Sequence, residues 1–296
     1  MGKWFETYRG MVQAWECDMV AHFTVAYYFD RFSDAVLGAM EAIGLGPSYM
    51  EETGRSVASV DCHVRWLEEL RGGDILHIES GVIGIDEKRL RLGHKVYNSG
   101  NGALCATLEQ MTVHFDMESR KSLPFTEAQR EAIAALAIDW DGEEREPRYW
   151  PESDAGFHPT GRDSVKRWEI DVIDHMGFQF YVHRLSGATM QAIARFGLTP
   201  EFMADEHRGF STFEFQLHFL RELAAGDMVH IESGLMHLGG SSMRVLNRMY
   251  NTRTGELSAE LSQFGVLLDI DARRPIRVPD ALRERGEAML IREPAP

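Results

Sequence analysis

The chain has 296 residues, 44% of them apolar and 26% charged, which is enough for two domains that each bury a core. A net charge of −15 argues against a general nucleic-acid surface, so an anionic ligand must find a local basic patch. No apolar run reaches the length of a membrane span, and the opening MGKWFETYRG lacks the core of a signal peptide; three widely spaced cysteines (Cys17, Cys62, Cys105) fit a reduced, cytoplasmic setting.

In chain order, a short strand is expected near Val12–Glu16. The stretch DMVAHFTVAYYFDRFSDA, from Asp18, then leads into a helix. Val25, Tyr28, Phe29, Phe32, Ala35, Val36, Ala39, Met40 and Ile43 recur at helical spacing, and so broad a stripe marks a largely buried helix. Thr24 stands at the capping position, Gly44 suits the C′ position, and Pro47 lies just beyond. Afterwards the period changes to two: Val60, Cys62, Val64 and Trp66 alternate with Ser59, Asp61, His63 and Arg65. Further strands fit 74–85, 89–98 and 103–116, with a turn at Asn98–Gly102. A helix is expected at 126–138, and the polar, acidic DGEEREPRYWPESDAG after it reads as a linker.

The stretch DVIDHMGFQFYVHRLSGA, from Asp171, writes the helix entry a second time, 153 residues on. The same offset pairs GGDILHIESG with AGDMVHIESG, Pro47 with Pro200, and Asp116 with Asp269. From Asp18 to Arg120, 33 of the 103 pairs are identical, where chance gives roughly six. A period this long means that a whole domain is duplicated. The second copy repeats the short strand (Val165–Glu169), the helical stripe from Phe178, and the alternation of Phe213, Phe215, Leu217 and Phe219. HLGGSSMR at 237–244 suggests a phosphate-cradling loop, but its copy GIDEKRLR makes it a hairpin turn. A short helix is expected near 280–289. The expected division is a first domain at 1–125, a linker with a short helix at 126–160, and a second domain at 161–296. Each domain is an α+β unit, one long helix on an antiparallel sheet.

Strand, helix and four strands, with Asp-x-x-x-His before the helix, resemble the hotdog fold of the 4-hydroxybenzoyl-CoA thioesterase family. That family carries a pattern close to Asp-x-x-Gly-His-x-Asn or Asp-x-x-Gly-His-x-Thr. Asp18, His22 and Thr24 fit it in the first copy, and Asp171 and His175 in the second. DEKRLRLGH at 86–94, with ATLEQMTVHFD at 106–116, resembles the betainyl-CoA thioesterase unit of carnitine dehydrogenase fusions. Hotdogs work in pairs, so the resemblance implies a double hotdog in one chain. It also implies an acyl-CoA thioesterase with no cofactor or metal, acting on a short or small polar acyl group such as betainyl. A hotdog hydratase or dehydratase and a non-catalytic acyl-CoA-binding protein stay open as alternatives, as does self-association of the double unit.

A carboxylate that attacks a thioester directly or deprotonates water is needed for hydrolysis, and Asp18 is the candidate. Backbone N–H groups at the helix start are suited to the oxyanion. His22 and Thr24 are candidates to orient the carboxylate or the substrate, and Asp171 and His175 are their counterparts. Ala21 and Asp174 stand where the family has Gly, and Gly177 replaces the Thr, which favours the first copy as the working one. Arg89, Arg91 and Lys95, on one strand face, are expected to meet the anionic coenzyme A. Tyr27, Tyr28 and Trp66, with Asp61, are the candidate faces for a quaternary ammonium, against core packing as the competing reading. No HExxH, GxSxG, paired CxxC or phosphate-loop motif occurs in the sequence.

Overall fold

The computed structural model describes residues 2–142, 150–151 and 153–291. Part of the expected linker, 143–149 and 152, lies outside them. The chain divides into two compact units, Met1–Glu144 with Asp171–Gln179, and Arg145–Ile170 with Phe180–Pro296.

The first unit contains β1 (Phe5–Met11), α1 (Val25–Ala42), α2 (Pro47–Thr53), β2 (Arg55–Trp66), β3 (Ile75–Ile85), β4 (Arg89–Asn98), β5 (Leu104–Asp116) and α3 (Glu127–Ala134). Its strands are antiparallel in the order β1-β3-β4-β5-β2. The apolar stripe of α1 is buried at Phe29, Phe32, Ala35, Ala39 and Met40, and Ala39 and Met40 share a core cluster with Val82, Leu90 and Leu92 of the sheet. At Gly38 the helix comes so close to β1 that a Cβ would stand 2.8 Å from the Thr7 carbonyl oxygen.

Two expectations change here. The first strand runs over Phe5–Met11, and Ala14–Glu16 forms a 3₁₀ turn. Glu16 is the cause: its Oε2 accepts from the Gln13 N–H at 2.8 Å, which closes the turn, and Oε1 is engaged by the Arg31 guanidinium. The stretch after β5 is not a spacer but part of the first core. Thr126 caps α3, Ile133 packs with Phe125, Val82, Leu90, Leu92 and Met40, and the Ile138 N–H donates to the Val82 carbonyl at 2.8 Å.

The second unit contains β6 (His158–Ser164), α4 (Phe178–Ala194, from Phe180 onward), α5 (Pro200–Asp205), β7 (Arg208–Phe219), β8 (Met228–Leu238), β9 (Ser242–Asn251), β10 (Leu257–Asp269), β11 (Arg274–Pro275) and α6 (Asp280–Ala288). Its order β7-β10-β9-β8-β6 repeats the first, with β11 added on β10. As in the first copy, the expected strand comes earlier and Arg167–Glu169 is a 3₁₀ turn. The Leu238-to-Ser242 connection is a hairpin turn. Leu282 of α6 joins a core of Phe196, Leu198, Leu235, Val245 and Leu267.

Each core holds a buried polar chain at matching positions. In the first, Thr7 Oγ1 donates to the Ile78 carbonyl, Ser80 Oγ lies 2.6 Å from Thr7 Oγ1, and His94 Nδ1 lies 2.7 Å from Ser80 Oγ. In the second, Ser233 stands 2.6 Å from Thr160 and donates to Asn247 Oδ1 at 2.5 Å, and Asn247 Nδ2 donates to Thr189 at 2.8 Å. Burial pushes His94 down from 6.5 to about 4, and the Gln110 side chain offsets only part of this. A histidine neutral in the fold takes up its proton more readily when unfolded. Its contribution is therefore complete above pH 6.5 and is lost as pH falls from there toward 4. His94→Asn, the residue of the second copy, removes this dependence. Between neutral pH and about pH 4.5, urea denaturation should show wild type losing about 2.5 kcal/mol more than the variant. A gap that stays constant with pH would sink this assignment.

Candidate active site

The first-copy loop is built around one carboxylate oxygen. Val20 N–H and His22 N–H both donate to Asp18 Oδ1 at 3.0 Å, and the Asp18 N–H donates back to the His22 carbonyl at 2.8 Å. This ring places Ala21 in the left-handed region, at φ +61°. The second copy repeats the loop: Ile173 and His175 N–H donate to Asp171 Oδ1 at 3.0 and 3.4 Å, with Asp174 at φ +64°. Backbone conformation thus accounts for the family's Gly at this position, and a side chain there costs roughly 1 kcal/mol.

Contacts on either side fix the loop. Phe23 N–H donates to the Leu70 carbonyl at 2.7 Å, and Thr24 N–H to the Glu16 carbonyl at 2.9 Å. The side chains of Glu16 and Arg31 pair where both are nearly buried, and Arg31 also lies over the Tyr8 and Phe23 rings. Glu169 and Arg184 repeat the pair, with Arg184 Nη2 at 2.9 and 2.8 Å from the two carboxylate oxygens.

From this frame α1 starts at Val25. Thr24 is its N-cap residue but makes no side-chain cap bond, so the first-turn N–H groups of Val25 and Ala26 are those that a helix leaves without an intrahelical partner. Asp18 is exposed, whereas His22 is only 8% exposed, and its Nε2 lies 3.0 Å from Glu69 Oε1 on the β2–β3 connection. Arg71 Nη2 stands 3.1 Å from Glu69 Oε2. Sequence reasoning passed over Glu69, Arg71, Glu16 and Arg31. The repeat was the one signal for three of them, since Glu16, Arg31 and Glu69 recur as Glu169, Arg184 and Glu222, whereas Ala224 stands opposite Arg71.

The surroundings of the second loop differ. Burial raises the Asp171 pKa, opposed first by His175, then by the loop N–H groups and by Arg120. His175 Nδ1 lies 3.8 Å from Asp171 Oδ2, Arg120 donates to the Ile173 carbonyl at 3.0 Å, and the Phe115 ring is 6.5 Å from His175. Gln179 folds over the helix start, its Oε1 2.7 Å from where a Cβ on Gly177 would stand. The first copy has the small Ala26 at the matching place, so its helix start is the more open one.

The remaining candidates lie elsewhere. Tyr28 is 3% exposed and packs on Phe23, Phe32 and Trp66, so Tyr28 and Trp66 are core residues and not an open cage. Tyr27 is half-buried, one helix position away. Arg89 and Arg91 sit near the β3–β4 hairpin, whereas the Asp18 loop sits at the other end of β3, where Met11 pairs with Ile75. That separation is roughly 30 Å along the sheet. Arg91 pairs with Glu109 at 2.6 Å, and Lys95 with Asp141 at 2.7 Å beside the Trp4 and Trp140 rings. Among the described residues no group of three or more His, Cys, Asp or Glu side chains is placed to hold a metal ion, and no helix is long and apolar enough to cross a membrane.

A central helix on a five-stranded antiparallel sheet, entered through an Asp-x-x-x-His loop and written twice, defines a hotdog-type thioesterase fold. Residues 12–133 and 165–286 each match the model of the thioesterase-like superfamily, and the chain belongs to that family. It is similar to the betainyl-CoA thioesterase of Pseudomonas aeruginosa, 31% identical over 137 residues, which is 46% of this chain and 86% of the relative. An L-carnitine dehydrogenase/betainyl-CoA thioesterase of Agrobacterium fabrum is 32% identical over 125 residues, 42% of this chain and only 25% of that longer relative. Among solved structures, the 12:0-ACP thioesterase from Umbellularia californica superimposes with a TM-score of 0.70 at 13% identity, over 89% of this chain and 94% of that one. An acyl-ACP thioesterase from Bacteroides thetaiotaomicron gives 0.67 at 12% identity, over 88% and 96%. At these identities the structures show the fold alone.

Proposed function

We propose that the protein hydrolyses acyl-CoA thioesters and that the site around Asp18 does the chemistry. The observation that carries this reading is the exposed Asp18 carboxylate, held through Oδ1 by two loop N–H groups beside the uncapped start of α1. A thioester carbonyl directed at that helix start meets the Val25 and Ala26 N–H groups and the positive end of the helix dipole, which stabilise an oxyanion. Asp18 takes a proton from water as the oxygen bonds to the carbonyl carbon. On collapse the C–S bond breaks, and the proton passes to the coenzyme A sulfur. The two units act, in this reading, as one double hotdog. The alignment of single solved thioesterase chains with about nine-tenths of this chain supports that arrangement.

The acyl group is small, and betainyl is the leading candidate because relatives about 31% identical to this chain carry that activity in their names. A quaternary ammonium donates no conventional hydrogen bond and is held by carboxylates or aromatic faces. With Tyr28 and Trp66 in the core, the half-buried Tyr27 is the candidate face that stays within reach of solvent. Release of free thiol from betainyl-CoA should exceed that from the neutral isostere tert-butylacetyl-CoA by about tenfold in kcat/KM at equal salt. Equal rates would remove the cation specificity and leave the general thioesterase.

A further inference from the structure

Glu69 comes from the β2–β3 connection, not from the loop that carries Asp18 and His22, yet its Oε1 stands 3.0 Å from His22 Nε2. A carboxylate only accepts hydrogen bonds, so the proton between them belongs to Nε2. In the second copy, whose loop repeats the same backbone bonds, Nδ1 is the ring nitrogen turned to the aspartate, 3.8 Å from Asp171 Oδ2. We infer that Glu69 is a positioning residue, which fixes His22 in the tautomer that carries its proton on Nε2 and so makes Nδ1 the acceptor of the ring.

The inference rests on the reading of Asp18 as the base. Asp18 and Nδ1 are then both acceptors, and a group that meets both must donate twice. Water does so, with one hydrogen toward Asp18 and the other toward Nδ1, which leaves an oxygen lone pair for the thioester carbon. Were the proton on Nδ1, the ring would donate instead of accept and could not take the water's second hydrogen. Arg71, 3.1 Å from the second Glu69 oxygen, holds the carboxylate in place. Glu222 keeps the same residue type at the matching position of the second copy.

Glu69→Gln in the full chain tests this, because an amide can accept from Nε2 or donate to it and no longer enforces the tautomer. We expect kcat for acyl-CoA hydrolysis to fall about 10- to 100-fold with KM changed less than about twofold. Nitrogen-15 NMR of histidine-labelled protein at neutral pH, assigned with His22→Gln, should show wild-type His22 protonated on Nε2 and a mixture of tautomers in Glu69→Gln. Wild-type His22 protonated on Nδ1, or a Glu69→Gln variant with unchanged kcat, overturns the inference. The tautomer is read without turnover, so a wild-type protein that releases no thiol from any acyl-CoA overturns the thioesterase reading while the spectrum still decides Glu69.

Discussion

Asp18→Asn is expected to lower kcat for acyl-CoA hydrolysis by about 10³-fold while leaving KM and the fold nearly unchanged. The amide is close to isosteric and its oxygen still accepts the Val20 and His22 N–H groups that shape the loop. It is, however, neither a competent base nor a nucleophile. A thousandfold corresponds to about 4 kcal/mol of transition-state stabilisation, the scale at which loss of a central catalytic group is read. Asp171→Asn is the matched experiment. With Gln179 over the helix start and burial working against ionised Asp171, its effect should be far smaller. Comparable losses in the two variants would mean that both copies turn over substrate, and near-normal kcat in Asp18→Asn would remove Asp18 from the mechanism.

The largest stability effect is expected at Arg31. Its guanidinium pairs with Glu16, whose side chain is only 6% exposed, so Arg31→Met leaves a carboxylate nearly out of reach of water, with the Gln13 N–H as its other donor among the described residues. Removing one partner of a buried pair costs about 3–5 kcal/mol, mostly through the stranded charge. The double variant Glu16→Gln/Arg31→Met should recover a good part of that loss, because no unpaired charge remains. Urea denaturation of the three variants measures this directly. If Arg31→Met costs under about 1 kcal/mol, or if the double variant is no better than the single one, the pair contributes little. Function should follow stability here, because the Glu16 carbonyl accepts the Thr24 N–H at the start of α1. A loosened turn displaces the helix start relative to Asp18.

Where the first core ends has a consequence for any attempt to cut the chain. A fragment 1–125 leaves out Ile133, Ile138 and Trp140, which cover Val82, Gly81 and Gly93 of the same sheet. It would expose that apolar surface to water. A cut near 142 keeps these contacts. Asp171–Gln179, which groups with the first unit, is lost in either case.

The sequence by itself determined the long helix of each copy, the four strands that follow it, and their duplication. Side-chain periodicity is a local property, with a period of 3.6 in α1 and of two in β2, and the offset of 153 residues let each copy be read against the other. It also placed Asp18 and His22 at the helix start, because that juxtaposition lies within the eight residues from Asp18 to Val25. Only the tertiary structure decided what those residues meet. His22 reaches Glu69 because the β2–β3 connection folds back over the loop, and Glu16 turns inward because α1 carries Arg31 past it. Strand alternation put Arg89, Arg91 and Lys95 on one face, but sheet register set Arg89 and Arg91 at the far end from Asp18. Tyr28 lay on a stripe that serves a core or a ligand cage equally well, and packing against Phe23 and Trp66 settled it as core. A pattern along the chain specifies which face a residue occupies. What stands opposite that face depends on contacts between distant segments, and these form only when the chain folds.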